Sequence, residues 1–247
     1  MFRNSFSRRS FLKKSSLGTL AGVLAAGERI PVEESLFSDR VTADDPITCA
    51  VIGFGAWGRE IAAVISEIEE MELTAICDHF PLMLLRAERS HPEARRAGDY
   101  RSLLEDESIQ AVFVATPTHL HREIVLAALA AGKNVYCEAP IAHTMEDVRA
   151  IARAARQASG QIFQAGLLYR TEPQYRSVYG FVRSAALGRF AMTRSQWHFK
   201  DPWRRSSSSA SRARDLDWRL HEEVSPGLVG EVGIHLIHLF GYQDVNL

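Results

Sequence analysis

The sequence has few cysteines, too few for a network of disulfide bonds. It contains three cysteines in 247 residues, and three thiols cannot form a closed set of disulfide bonds. Cys49, Cys77 and Cys137 each fall within an apolar run that predicts a strand, so we expect buried, reduced thiols. The hydrophobic content of 46% is enough for a substantial core, which excludes a disordered or fibrous protein.

Excess positive charge is confined to the first residues. The whole chain carries a net charge of −1, and residues 1–27 contribute five basic residues and no acid, which leaves −6 for the remainder. A mildly acidic body is not typical of a protein that binds nucleic acid. We therefore predict no nucleic-acid partner.

Residues 1–45 are predicted to be an export signal and a linker. Ser-Arg-Arg-Ser-Phe-Leu-Lys-Lys over residues 7–14 is followed by the apolar segment SSLGTLAGVLAAG, and this order is typical of a twin-arginine signal. The apolar segment is too short to span a bilayer as a stable helix. We expect export to the periplasm by the twin-arginine machinery, with a membrane anchor where the signal is not cleaved.

The strongest motif is the stretch ITCAVIGFGAWGREI, residues 47–61. A β-branched apolar run breaks at Gly53 and continues in a helical pattern, which predicts a strand, a tight turn and a helix. Gly53 permits the sharp turn, Gly55 lets the backbone approach a pyrophosphate, and Gly58 lets the helix pack close to the sheet. Unpaired N–H groups at the start of the helix then face the diphosphate. The G-x-G-x-x-G pattern in this setting predicts a dinucleotide site.

An acidic residue follows at the spacing that this motif requires. The apolar run 73–77 ends in Asp78, 20 positions beyond Gly58, where a carboxylate accepts hydrogen bonds from the adenosine ribose hydroxyls. The alternative is an ordinary acid at a strand end. Because a carboxylate there repels a 2′-phosphate, we predict NAD in preference to NADP.

Strands and helices alternate through the rest of residues 46–165. This order predicts an α/β fold with a doubly wound parallel sheet, whose ligands lie beyond the carboxyl ends of the strands. Gly53, Asp78, Thr116 and Glu138 all lie at such ends. The predicted helices are 58–69, 81–89, 100–106, 121–132 and 144–158, the later strands are 111–115, 134–137 and 161–164, and 91–98 is a polar connection. The candidate cofactor-binding residues are Gly53, Phe54, Gly55, Ala56, Trp57, Gly58, Asp78, Thr116, Pro117, His121 and Glu138.

Several motifs, taken in order, resemble one enzyme family. They are GFGAWG at 53–58, CD at 77–78, ATPTHLH at 115–121 and AAGKNVYCEAP at 130–140. From about residue 46 onwards the chain is similar to the Gfo/Idh/MocA oxidoreductases, NAD(P)-dependent enzymes that act mostly on sugars and polyols. The resemblance implies a Rossmann-type NAD-binding domain over 46–165 and a substrate domain over 166–247.

The chain departs from this family at position 139 and near its end. The family usually has Glu-Lys-Pro, in which the lysine reaches the substrate hydroxyl, whereas Ala139 can neither donate nor hold a charge. Family members also continue with strands that complete an open sheet, which is their usual partner surface. We expect an incomplete α+β substrate domain in a truncated chain, and a homo-oligomer only if the full sheet exists.

The second half contains fewer local signals. In the resemblance, Arg170 and Tyr175 match positions near the cofactor and substrate, and Arg219 belongs to a Trp-Arg pair whose guanidinium binds a hydroxyl-rich or acidic ligand; all three are candidate substrate-binding residues. The alternatives are a surface arginine, a packing tyrosine and, for Arg219, an ion pair with Glu222 or Glu223. The alternation over 189–200 predicts a strand. The low-complexity stretch RRSSSSASRAR, residues 204–214, predicts an exposed loop.

Glu231, His235 and His238 have the spacing of one helical face. In the resemblance, His235 matches a histidine that acts as general acid or base and Glu231 matches an acid four residues earlier, while His238 replaces the usual aspartate. Catalysis by His235 and Glu231 is the favoured interpretation. A zinc site and a structural histidine are the alternatives, and nothing else in the sequence requires a metal.

The function predicted from these features is NAD-dependent oxidation of a small sugar or polyol, with His235 as the proton-transfer group. One alternative keeps NAD and cleaves glycosidic bonds through transient oxidation, a reaction that tolerates the loss of the lysine. The other is a catalytically inactive, truncated protein that still binds NAD.

Overall fold

A computed structural model describes residues 45–167, 203–207 and 209–241, together with positions 175, 192, 194–196 and 198. Strands and helices alternate through the first of these ranges. The strands are β1 (Ile47–Ile52), β2 (Met71–Cys77), β3 (Arg95–Ala97), β4 (Ala111–Val114), β5 (Asn134–Glu138) and β6 (Phe163–Gly166). The helices are α1 (Ala56–Glu67), α2 (Pro81–Ser90), α3 (Arg101–Leu104), α4 (His121–Ala130) and α5 (Met145–Gln157).

The six strands form one parallel sheet in the order β3-β2-β1-β4-β5-β6. The chain builds outwards from β1 to one edge and then returns to build the other half from β4. The carboxyl ends of β1 and β4 therefore form the point where the strand order reverses, and ligands of such sheets bind there. The predicted doubly wound, Rossmann-type fold is confirmed.

The core lies on both faces of the central strands. In β1, Cys49, Ala50, Val51 and Ile52 are 0 to 2% exposed, because a parallel strand covered by helices on both sides reads as a continuous apolar run. The three cysteines are buried and free, as predicted. Burial raises the pKa of the Cys49 thiol to about 11, so this thiol stays protonated and unreactive at neutral pH.

Two local predictions were wrong. Strand β3 lies in the segment predicted as a polar connection, because two of its three residues are exposed arginines and leave no apolar pattern to recognise. Helix α6 (Ala210–Leu216) occupies part of the predicted loop 204–214. Its start is capped by the Ser209 hydroxyl, which accepts a hydrogen bond from the Arg212 N–H.

A 3₁₀ turn (Thr118–Leu120) precedes α4, and three further elements follow α6. They are a 3₁₀ turn (Trp218–Leu220), a π turn (Val229–Gly233) and helix α7 (Ile234–Gly241). No helix in the described ranges has the length and apolar character needed to cross a membrane. The predicted export signal lies outside the described residues and stays a prediction. In the predicted strand 189–200, the described positions 192, 194–196 and 198 are not in a strand, and the other positions lie outside the described residues.

Candidate cofactor site and active site

The glycine turn has the shape that a dinucleotide requires. Gly53 has a φ of +93°, and a Cβ there would lie 2.8 Å from the Ala115 carbonyl oxygen at the end of β4. A Cβ at Gly58 would overlap the Gly53 carbonyl oxygen, so α1 can start beside β1 only with glycine at this position. At Gly55, in contrast, nothing lies within 4 Å of an added Cβ. This open space at the helix start is where a pyrophosphate can approach the backbone.

Asp78 supports the turn as well as facing the site. Its Oδ2 accepts a hydrogen bond from the Phe54 N–H and its Oδ1 accepts one from the Phe80 N–H, both at 2.8 Å. The residue is 8% exposed. Each carboxylate oxygen keeps a second lone pair for a ribose hydroxyl. Asp78 therefore ties the glycine turn to the end of β2, a function that its spacing in the sequence did not reveal.

The other predicted members of the turn differ in what they can offer. The Phe54 side chain is fully buried in the core, so only its backbone can serve the site. Ala56 is exposed, and Trp57 is an exposed aromatic residue, at 59%. Trp57 therefore lies at the protein surface, two residues after Gly55.

Thr116 and Pro117 follow β4 at the point where the strand order reverses. The Thr116 hydroxyl is buried and has no hydrogen-bond partner within the described part of the chain, which is costly unless a ligand or water satisfies it. Pro117 precedes the 3₁₀ turn Thr118–Leu120. Together with the open space at Gly55, this buried hydroxyl fits a bound dinucleotide in the crevice formed by residues 53–58 and 115–118.

His121 lies elsewhere than predicted. It is 1% exposed, and its two ring nitrogens lie 2.8 Å and 3.1 Å from the carbonyl oxygens of Thr116 and Pro140. The imidazole therefore joins the turns that follow β4 and β5 and has no free nitrogen for a cofactor. A protonated ring could donate to both carbonyls, and these hydrogen bonds alone would raise the pKa of His121. Burial has the larger effect and lowers this pKa to about 4.

This environment predicts a pH dependence of stability. The ordinary pKa of 6.5 applies in the unfolded chain and about 4 in the folded one, so the unfolded state takes up the proton first. The contribution of His121 is complete above pH 6.5 and falls by up to about 3 kcal/mol as the pH drops to about 4. Urea unfolding across this range is expected to show a steeper loss in the wild type than in His121→Gln. Equal slopes for the two proteins would contradict the assignment.

Glu138 ends β5 on the same edge of the sheet. Its Oε1 accepts a hydrogen bond from the Tyr136 hydroxyl at 2.9 Å, and burial raises the pKa of the carboxyl. The peptide bond between Ala139 and Pro140 is cis. Glu138 thus lies at the predicted strand end, with one oxygen already paired.

A buried carboxylate connects the two halves of the chain. Oε1 of Glu231 accepts hydrogen bonds from the hydroxyls of Thr118, at 2.9 Å, and Ser225, at 3.4 Å. Its Oε2 pairs with the Arg219 Nε at 3.4 Å, and Arg219 lies over the Trp218 ring at 4.3 Å. Burial raises the pKa of Glu231, opposed by these partners, and lowers that of Arg219.

With its carboxylate engaged by three side chains, Glu231 is better interpreted as a positioning residue than as a proton carrier. His235 follows four residues later, as the second residue of α7, and is half-buried. Burial lowers the pKa of His235. The contact between Glu231 and Thr118 therefore brings the start of this helix to the carboxyl end of β4.

Breaking the ion pair tests this interpretation. Arg219→Met leaves the Glu231 carboxylate buried without its counter-charge, and we expect a loss of about 1–3 kcal/mol in the free energy of unfolding. The double variant with Glu231→Gln removes the charge and should recover part of this loss. Chemical denaturation measures both, and a double variant less stable than the sum of its single changes would contradict the pairing.

Of the other predicted site residues, Tyr175 is helical and half-buried. Arg170 and the His238 side chain lie outside the described residues. Across the described ranges, no three His, Cys, Asp or Glu side chains are grouped closely enough to hold a metal ion. Because the His238 side chain is one of the three ligands of the zinc interpretation, that interpretation stays an untested alternative.

Sequence reasoning missed how the second half lies on the sheet. The guanidinium of Arg212, in α6, lies over the Phe80 ring just after β2, at 4.6 Å. The Trp218 ring lies 6.0 Å from the His119 ring just after β4. Residues 210–218 therefore run along the carboxyl edge from the end of β2 to the end of β4. No local pattern could have indicated this, because each contact joins residues about 100 positions or more apart.

The parallel sheet, the glycine turn and the crevice define a protein of the NAD-binding Rossmann class. Residues 47–166 match the oxidoreductase family GFO_IDH_MocA, which has an NAD-binding Rossmann fold. This segment, about half of the chain, therefore has the NAD-binding domain of the Gfo/Idh/MocA oxidoreductases.

Individual relatives are similar to about three fifths or two thirds of this chain. The chain is 29% identical over 168 residues to a levoglucosan dehydrogenase of Pseudarthrobacter phenanthrenivorans, covering 68% of this chain and 41% of the relative. It is 34% identical over 163 residues to glycosyl hydrolase family 109 protein 2 of Shewanella sp. strain ANA-3, covering 59% and 36%.

A solved structure is similar as well. Scyllo-inositol dehydrogenase from Lactobacillus casei, with bound NAD(H) and scyllo-inositol, superposes with a TM-score of 0.56 at 26% identity, over 58% of this chain and 43% of that chain. The chain thus spans less than half the length of each of these relatives.

Proposed function

We propose that the protein is an NAD-dependent oxidoreductase that converts a CH–OH group of a sugar or polyol into a carbonyl. The observation that carries the proposal is the 2.9 Å hydrogen bond between Thr118 and Glu231. It holds the helix of His235 against the crevice where the family binds its cofactor. Bound NAD supplies the hydride acceptor for the substrate carbon.

His235 removes the hydroxyl proton in this reaction. A general base must be unprotonated before the reaction, and burial lowers the pKa of His235 below its ordinary 6.5. The neutral imidazole therefore predominates at neutral pH. Glu231 and Arg219 orient the start of the helix, and His235 takes over the proton-transfer task for which Ala139 has no chemical group.

NAD is the proposed cofactor in preference to NADP. The Asp78 carboxylate lies at the end of β2, where it can accept hydrogen bonds from the ribose hydroxyls. A 2′-phosphate at this position would be repelled by the negative charge of the carboxylate. A small carbohydrate is the proposed substrate, since relatives include a levoglucosan dehydrogenase and a dehydrogenase crystallised with scyllo-inositol.

The test is NADH formation by the purified chain. We would measure NAD binding by calorimetry and then record NADH absorbance with levoglucosan, scyllo-inositol and myo-inositol as substrates. Binding followed by turnover with at least one polyol is expected. A protein that binds no NAD would refute the proposal at its first step, and tight binding without turnover on a wide carbohydrate panel would favour the inactive alternative.

Cleavage of glycosidic bonds is the second candidate. It is favoured by the 34% identity to a glycosyl hydrolase family 109 protein and by Ala139, because elimination beside a transient ketone requires a base and not the family lysine. Incubation with aryl glycosides distinguishes the two reactions. Release of the aryl group without net NADH formation supports cleavage, and NADH formation without release supports the oxidoreductase.

A further inference from the structure

We propose that Arg212 belongs to the adenosine end of the cofactor site and allows a 2′-phosphate to bind beside Asp78. This inference rests on the proposed function and refines its cofactor choice. NAD remains preferred, and Arg212 determines how strongly NADP is disfavoured. The residue lies outside the segment 47–166 that matches the family's NAD-binding domain.

The position of Arg212 follows from two contacts. Its guanidinium carbon lies 4.6 Å from the centroid of the Phe80 ring, and the Phe80 N–H donates to Oδ1 of Asp78 at 2.8 Å. Phe80 therefore contacts both Arg212 and Asp78, whose carboxylate marks the ribose position. In dinucleotide folds an arginine near this strand end accommodates the 2′-phosphate of NADP.

Helix α6 holds Arg212 over this end of the sheet. Ser209 caps the start of the helix through the Arg212 N–H, and the contact of Trp218 with His119 anchors the segment that follows at the end of β4. The segment therefore contacts the carboxyl edge at two points, Arg212 on Phe80 and Trp218 on His119, and the arginine is placed by this packing.

Neighbouring groups offset part of the repulsion between Asp78 and a 2′-phosphate. Both Asp78 oxygens accept backbone N–H groups, which disperses the carboxylate charge. The His79 ring lies 3.8 Å from Oδ1 and is largely exposed, so a second group that can carry positive charge lies at the same edge. The flat face of the guanidinium lies on Phe80, and its N–H edge has no hydrogen-bond partner among the described residues, so this edge can form paired hydrogen bonds with phosphate oxygens.

Binding measurements on the full chain test this assignment. NAD, NADP, 5′-AMP and 2′-AMP would be titrated into the wild type and Arg212→Gln by calorimetry. We expect the variant to bind NADP and 2′-AMP about tenfold or more weakly, while NAD and 5′-AMP change by less than about twofold. Arg212→Lys keeps the charge but loses the planar fork, and should give an intermediate value for NADP.

Arg214→Gln is the matched control. It makes the same change of charge on the same helix at an exposed position, so its binding of all four ligands should equal that of the wild type. Thermal denaturation verifies that each variant is folded.

Three results would overturn the inference: equal weakening of NAD and NADP in Arg212→Gln, equal effects of Arg212→Gln and Arg214→Gln, or no binding of NADP and 2′-AMP by the wild type. Any of these can occur while NAD binds and polyol oxidation proceeds. Failure of NAD itself to bind would instead refute the proposed function, so the two failures are distinguishable.

Discussion

Gly58→Ala is expected to abolish NAD binding and to destabilise the fold. The added Cβ would overlap the Gly53 carbonyl oxygen, which is backbone and cannot rotate away as a side chain could. Gly53 has no room to retreat, because it already packs against the end of β4 at a φ of +93°. Helix α1 must therefore move off the sheet, at a cost of about 1–3 kcal/mol or more, and its N–H groups lose their alignment with the pyrophosphate. Calorimetric titration and thermal denaturation measure the two effects.

Two other glycines separate the loss of binding from the loss of stability. Gly55→Ala has nothing within 4 Å of its Cβ, so we expect nearly wild-type stability, but the methyl group would occupy space needed by the pyrophosphate and weaken NAD binding. Gly98→Ala is equally unobstructed and lies in neither segment of the crevice, 53–58 or 115–118, so neither property should change. Gly58→Ala protein that binds NAD with wild-type affinity would disprove this account of the turn.

His235→Asn is expected to lower kcat by about 10²- to 10⁴-fold, the usual contribution of a general base, while NAD affinity stays unchanged. The reason is that the proposed role concerns the substrate proton alone. The matched control is His91→Asn, in the loop after α2, which should retain wild-type turnover. Equal losses in both variants, or turnover by His235→Asn at the wild-type rate, would contradict the role.

The pH profile supplies a further check on His235. The base acts only when unprotonated, so kcat/KM should be constant at neutral pH and fall as acid protonates the ring. Because burial lowers its pKa, the midpoint of this fall should lie below the ordinary 6.5. The profile of His235→Asn should lack this acidic limb.

The glycine turn, the parallel sheet and most element positions could be predicted because their signals are local. Gly53, Gly55 and Gly58 meet steric demands set by neighbouring backbone, and apolar residues recur with the period of the strand or helix that buries them. Predictions failed where the sequence lacks a clear apolar period or a steric requirement of this kind. β3 has a single buried residue in three, and α6 is stabilised by a serine cap and contacts with Phe80 inside a stretch whose composition is typical of loops.

Roles of polar side chains were the least predictable part of the site. His121 and Asp78 were both predicted to face the cofactor, yet His121 joins two turns and Asp78 also holds the glycine turn. Whether an imidazole or a carboxylate is free depends on which backbone groups surround it in space. A sequence motif specifies the residue type but not those neighbours.

By itself, the sequence determined that this chain forms a Rossmann-type sheet with a dinucleotide turn, because backbone sterics and the periodicity of burial act between residues close in the chain. Only the tertiary structure decided what surrounds that turn. Glu231 bonded to Thr118, and Arg212 stacked on Phe80, each join residues more than 100 positions apart. Such pairs form only after the sheet has folded and the second half has packed along its edge, so their energetics do not appear in any local pattern.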